Sequence, residues 1–409
     1  MVRGGKLKER DPLFELVLKW ITQAEWDMTL TMREAMAKAE NLIDQHVDKP
    51  DGSELSRKCP GISHFFTRLP LIKALDTFSQ RVAVEERRFV PPTFSEVRQV
   101  FNIAQVYEMK GCIELITFDA DDTIYEHGMD LEQESWIVEA LCALMECGVY
   151  VAVVTAAGYP GKPERYAARF KGLLDIMKAR GYGSEITDKF LVMGGECNYM
   201  FKVDVKDYSM VELDWDLWAT DTMRAWKESD IKDMLDLAEG CLKTACSNLR
   251  LEVQYLRKSK AVGCFPKEVG DRIAYEALED VAMSVHDALN KSNCKTPFCA
   301  FNGNLDVWVD VGDKRFGIEA LQKYLGIPEE KCCHMGDRFT HTGNDQRARY
   351  VAMTVWVTNP RETEDYLELF LADMGMEKAS KCASARPQGP TKGSAEWLKA
   401  QVVQRNTAA

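Results

Sequence analysis

No run of apolar residues approaches the ~20 needed to cross a bilayer as a helix, so no membrane partner is expected. The first residues, Met1 to Asp11, are basic but no apolar segment follows them, and a secretory signal is not expected. The 13 cysteines include no Cys-x-x-Cys pair. Without a leader they read as reduced thiols of a cytoplasmic protein, and adjacent Cys332-Cys333 reads as plain strand filling. Positive charge is in deficit: 52 Lys and Arg against 64 Asp and Glu, a net charge of −12. That balance excludes a non-specific nucleic-acid binder but not an anionic substrate, because local cations and helix N-termini can dominate a pocket.

What is present is a chain of 409 residues, 46% hydrophobic and 28% charged, too long for one ordinary core. Its organising stretch is Gly111 to Tyr125. Residues 112–118 are mostly apolar and suit a buried parallel strand, which runs into Asp119, Asp121, Asp122 and Thr123. Clustered carboxylates repel one another, and a divalent cation relieves that repulsion. The plain alternative is an acidic turn capping the next helix. Residues 131–147 then carry Trp136, Ile137, Ala140, Leu141, Leu144 and Met145 at helical spacing. A second buried strand, 149–154, ends in Thr155-Ala156-Ala157-Gly158, where small residues let backbone N–H groups approach a phosphate. A third strand precedes Lys314, which opens a helix through Ile318, Leu321 and Leu325. A fourth, at Cys332 to Met335, ends in Gly336-Asp337, with Gly343-Asn344-Asp345 beyond. These ends fall on one edge of a parallel sheet, where open α/β sheets bind ligands.

The D-x-D-x-T pattern at Asp119, Asp121 and Thr123, followed in order by Thr155, Lys314 and Asp337, resembles the haloacid dehalogenase-like phosphatases. The resemblance implies that Asp119 attacks phosphorus and Asp121 shuttles a proton. Asp119, Asp121 and Asp337 would hold Mg²⁺, and Thr155 and Lys314 would hold the phosphoryl oxygens. Asp345 is more distant from Asp337 than is usual and is assigned a supporting place. The short interval from Asp119 to Thr155 leaves room for one helix. The long interval from Thr155 to Lys314 leaves room for an inserted cap.

The expected architecture is therefore α/β: a Rossmann-like parallel-sheet core at 106–165 and 300–379, with an α+β cap at 166–299. A helical N-terminal regulatory and oligomerisation region covers 1–105, and a tail rich in Pro and Gly covers 380–409. Strands are expected in the cap at 190–193 and 198–203, and helices at 222–243 and 271–290. A hairpin at 298–311 with an Asn302-Gly303 turn would join cap to core. The N-terminal region holds an aromatic and basic cluster from His64 to Lys73. It reads either as helical packing or as an effector site using His64, Arg68 and Lys73.

Further stretches narrow the resemblance. They are Thr117 to Tyr125, Thr155 to Tyr159, Tyr166 and Arg169 before Gly172, Gly194-Gly195-Glu196-Cys197-Asn198-Tyr199, Asp310 to Lys314, and Gly336 to Asp345. Together they resemble the IMP-specific 5′-nucleotidases across about residues 55–365. The resemblance implies Mg²⁺-dependent hydrolysis of IMP, activation by ATP through the N-terminal region, and a homotetramer. Base selection would fall to the cap, with Arg165, Tyr166, Arg169, Glu196, Asn198 and Tyr199 as candidates and Ala156 beside them. Residues of these types also serve in ordinary packing. His127 stands where an acidic residue is expected, so substrate contacts there would differ. The alternatives are a same-fold phosphatase for another nucleotide or a sugar phosphate, and a non-catalytic nucleotide binder.

Overall fold

The computed structural model describes residues 11–23, 29–62, 64–268, 271–340 and 342–373. The expected tail lies outside them. Strands β1 (Leu115–Phe118), β2 (Tyr150–Thr155), β3 (Phe190–Gly194), β4 (Tyr199–Asp204), β5 (Ser209–Glu212), β10 (Cys332–Gly336) and β11 (Met353–Trp356) form one sheet in the order β11-β10-β1-β2-β3-β4-β5. From β11 to β3 the pairing is parallel, and β4 and β5 add antiparallel at one edge. The central strands are buried on both faces, which is why they read as continuous apolar runs rather than alternating ones.

A second, antiparallel sheet has the order β6-β7-β9-β8, from β6 (Val253–Arg257), β7 (Ala261–Pro266), β8 (Phe298–Asn302) and β9 (Val307–Val311). Its core contains Ile231, Leu235 and Leu242 from one long helix (Glu228–Asn248), Val281 and Leu289 from another (Tyr275–Lys291), and Val309 from β9. The β9 strand then leads into the helix Lys314–Leu325, so the small sheet is tied directly to the edge of the large one.

Several expectations are corrected here. The strands near 190 and 200 belong to the large sheet: Gly195 and Glu196, both at positive φ, reverse the chain so that β4 folds back on β3. The hairpin at 298–311 belongs to the small sheet. Its turn is longer than Asn-Gly, because Asn302 still pairs with Val307 and Asn304 takes the left-handed conformation. The helix expected over 222–243 is interrupted, with a short turn at Asp221–Arg224 before Glu228–Asn248. Trp226, in the break, packs edge-on against Phe316 at 5.3 Å.

The longer N-terminal helices are α1 (Pro12–Thr22), α2 (Met32–Asp48), α3 (Leu71–Ser79) and α4 (Phe94–Met109), with a short turn of helix at Glu54–Lys58 between the second and third. Helix α4 opens with a Thr93/Glu96 capping box. It docks on the large sheet through buried polar groups: Asn102 Nδ2 donates to Trp356 O at 2.6 Å, and Trp356 N donates to Asn102 Oδ1 at 3.0 Å. Arg98, 1% exposed, pairs with Glu362 at 2.8 Å. Among the described residues, no helix is long and apolar enough to cross a membrane.

Candidate active site

β10, β1 and β2 are adjacent parallel strands, so their C-terminal ends share one edge of the large sheet, and the helix Lys314–Leu325 starts beside it. Asp119 follows β1, and its backbone N–H donates to Met335 O at 2.8 Å, holding the turn against β10. Lys314, fully buried, places Nζ 2.7 Å from Asp119 Oδ1 and 2.6 Å from Asp345 Oδ1. Burial opposes the ammonium charge, but Asp119, Asp345 and Glu196 outweigh it, and the lysine pKa is raised. Burial pushes Asp119 up to about 6 despite Lys314.

Oxygens of Asp119, Asp337 and Asp345 lie within 4.8 Å of one another. Asp337 Oδ1 is buried and has no hydrogen-bond partner among the described residues. Its pKa is raised well above the usual range, first by burial and then by Asp119, Asp345 and Asp122, with Arg338 opposing. Asp345 differs. Its Oδ1 accepts from Lys314 Nζ at 2.6 Å and from His334 Nε2 at 2.9 Å, and its Oδ2 accepts from Arg338 N at 2.8 Å. A Cβ on Gly336 would come within 2.4 Å of the Asp345 carboxyl carbon, so glycine there is what lets this carboxylate approach. An orphaned buried carboxylate oxygen beside a second carboxylate suits a hard divalent cation.

Asp121 Oδ1 accepts from Gly128 N at 2.8 Å, and His127 Nδ1 lies 3.9 Å from it. Asp122 tethers the small sheet instead: its Oδ2 accepts from Asn304 Nδ2 at 2.9 Å. Thr155 Oγ1 accepts from Ala157 N at 3.1 Å. The loop after Thr155 is shaped by Tyr166, whose hydroxyl donates to Ala157 O at 2.8 Å and accepts from Tyr159 N at 3.1 Å. A Cβ on Gly194 would overlap that hydroxyl.

The remaining candidates separate. Arg169 binds Met129 O at 2.8 Å and Asp130 at 3.2 Å, bracing the loop after His127. Asn198 Nδ2 donates to Gly195 O at 2.7 Å and Val311 O at 2.9 Å, joining the turn after β3 to the end of β9. Ala156 lines a small cavity with Asn198, Lys258 and Asp310. Sequence reasoning assigned no role to Lys258, Asp306, Trp308 or Asp310, although Asp310 opens one of the stretches that carry the resemblance. Lys258 Nζ sits 4.5 Å over the Trp308 ring and donates to Gly158 O at 3.2 Å, bridging the two sheets. Trp308 Nε1 donates to Asp306 Oδ2 at 2.9 Å. The signal was available: residues 306, 308 and 310 alternate, so they share one face of an extended segment.

The candidate effector residues also separate. Arg68 pairs with Asp44 at 3.4 Å and Asp48 at 2.5 Å on the surface, and Lys73 lies 4.1 Å over the Tyr107 ring. Only His64 of the three lines a cavity of about 130 Å³, among Phe14, Phe65, Phe66, Arg349 and Trp356.

A family model described as IMP-specific 5′-nucleotidase matches residues 19–367. The IMP-specific 5′-nucleotidase 1 of Plasmodium falciparum is 35% identical over 345 residues, 80% of this chain and 76% of the relative. That of Schizosaccharomyces pombe is 34% identical over 341 residues, 81% and 84% of the two chains. An IMP-bound mutant of P. falciparum IMP-nucleotidase superposes with a TM-score of 0.82 at 31% identity, covering 89% of this chain and 97% of that one. An ATP-bound form of that nucleotidase gives 0.77 at 32% identity, covering 89% and 85%. With Asp119, Lys314 and Asp337 clustered at the sheet edge and these matches along most of its length, the chain belongs to the IMP-specific 5′-nucleotidase family, a family of phosphoric monoester hydrolases.

Proposed function

We propose that this chain hydrolyses inosine 5′-monophosphate to inosine and phosphate through an aspartyl-phosphate on Asp119. The observation that carries the reading is Lys314, fully buried and held 2.7 Å from Asp119, beside the unpartnered Asp337 oxygen. Asp119 and Asp337 carboxylates with the Asp121 backbone carbonyl would hold Mg²⁺. When bound, that ion supplies Lewis-acid neutralisation of the phosphoryl charge and permits Asp119 to stay ionised. Asp119 attacks phosphorus, and the phosphoryl oxygens lie against Lys314 and Thr155 as charge develops. Asp121, oriented by the Gly128 N–H, gives its proton to the departing nucleoside oxygen and later takes one from the hydrolytic water. The unit from Glu228 to Val311 serves as the cap, with Lys258, Asp306 and Trp308 facing the leaving group.

ATP is the proposed activator. The cavity beside His64 is lined by Trp356, whose Nε1 donates to Asp337 O at 2.9 Å. An occupant there touches the same indole that holds the backbone of a proposed metal ligand. The exposed Phe89, 95% accessible, supports self-association, for which a homotetramer is the proposed state.

Phosphate release from IMP, AMP, GMP and a sugar phosphate, with and without Mg²⁺ and ATP, tests the reading. IMP preferred, Mg²⁺ required and ATP stimulating is the expected outcome. A sugar phosphate turned over faster than IMP would overturn the substrate assignment.

A further inference from the structure

His334 is fully buried on β10 and has no part in the chemistry above. It pairs in register with Thr117 on β1, so their side chains stand on the same face of the large sheet. His334 Nδ1 lies 2.9 Å from Thr117 Oγ1, and Nε2 lies 2.9 Å from Asp345 Oδ1. Asp345 also accepts from the Lys314 ammonium at Oδ1 and from the Arg338 N–H at Oδ2, so it stands in this network as an acceptor. An ionised carboxylate only accepts. Nε2 is therefore the donor to Asp345, and the Thr117 hydroxyl, 2.9 Å from Nδ1 and 3.4 Å from Cys333 O, engages the other ring nitrogen.

We infer that His334 is a positioning residue: the chain Thr117–His334–Asp345 fixes the carboxylate that holds the Lys314 ammonium beside Asp119. A lysine head ends a flexible four-carbon stem and needs a fixed partner to be held in one place. Lys314 has two, Asp119 and Asp345. When the Asp119 oxygen becomes an acyl phosphate it loses its charge, and Asp345 remains as the anchor. Three donors already occupy Asp345: Lys314 Nζ, His334 Nε2 and the Arg338 N–H. Asp345 thus anchors the lysine rather than supplying a metal ligand, and His334 sets its orientation.

This inference rests on the proposal that Lys314 holds the phosphoryl group. Four variants of the full chain with Mg²⁺ test both: Lys314→Ala, His334→Leu, His334→Gln and Thr117→Val. The readouts are kcat and KM for IMP, calorimetric binding of inorganic phosphate, and the urea midpoint. His334→Leu keeps apolar volume but loses the donor. It should lower kcat about 10- to 100-fold, the range for groups that orient an active-site ligand, and weaken phosphate binding about tenfold. His334→Gln retains an amide donor and should recover activity to within about fivefold of wild type. A folded His334→Leu with wild-type kcat and phosphate affinity overturns the inference. So does equal impairment of Leu and Gln in step with lost stability, the mark of a packing role. If His334→Leu fails to fold, Thr117→Val decides: weaker phosphate binding at an unchanged urea midpoint supports the chain, and unchanged binding overturns it. If Lys314→Ala binds phosphate as wild type does, the phosphoryl role of Lys314 fails instead.

Discussion

Asp310 on β9 shows how placement alone changes a carboxyl group. Burial pushes it up to about 7 against the pull of the Lys258 ammonium. Between the ordinary value of 3.8 and that folded value, the folded chain keeps a proton that the unfolded chain has released. Folding stability is therefore lost as pH rises through this window. Asp310→Asn cannot ionise, so its stability relative to wild type should improve between about pH 4 and about pH 8. Urea unfolding at both ends checks this, and a relative stability that declines with rising pH contradicts it. At this scale the sequence was partly legible. Asp119, Asp337 and Lys314 stood at strand or helix ends, where local pattern marks them. Asp345 could be named but not read, because its partners His334 and Lys314 are brought to it by sheet register and helix packing. Arg169 and Asn198 share residue types with substrate-binding groups, yet Arg169 is engaged by Met129 O and the Asp130 carboxylate, and Asn198 by Gly195 O and Val311 O.

Secondary-structure elements explain why the boundaries moved. β3 and β4 carry the same apolar character as cap strands would, and only the left-handed Gly195 and Glu196 show that β4 turns straight back onto β3. Helix α4 starts at a local signal, the Thr93/Glu96 box, but nothing local marks its docking. Asn102 and Arg98 are polar residues on a buried face, and their partners on β11 and at Glu362 lie far along the chain. Asn102→Ala should leave the Trp356 backbone N–H without its partner and lower unfolding stability by about 1–3 kcal/mol. A urea-derived loss under about 0.3 kcal/mol would show that the Asn102 tie is not what fastens α4 to the sheet.

Across the whole molecule, the N-terminal helices supply none of the proposed catalytic groups, yet Trp356 connects their cavity to the backbone of Asp337. A ligand in that cavity can change activity only by binding one arrangement better than another. His64→Ala should weaken ATP stimulation several-fold while leaving basal Mg²⁺-dependent turnover in place. Arg68→Ala should respond to ATP as wild type does, since Arg68 is engaged by Asp44 and Asp48 at the surface. The reverse pattern in ATP titrations would move the effector site to the α2–α3 surface. Exposed Phe89 belongs to the same scale: Phe89→Asp should reduce the assembly mass by light scattering, and an unchanged mass would remove this loop from the interface.

The claim on which the rest depends is that Asp119 is the nucleophile. Steady-state phosphate release from IMP by Asp119→Asn, with Mg²⁺ present and the fold checked by circular dichroism, tests it most directly. Asparagine keeps the shape but is a poor nucleophile and lacks the charge that pairs with Lys314, so turnover should fall by at least about 10³-fold, ~4 kcal/mol of barrier. A folded Asp119→Asn that retains turnover within about tenfold of wild type, a barrier change of only ~1.4 kcal/mol, would contradict the assignment.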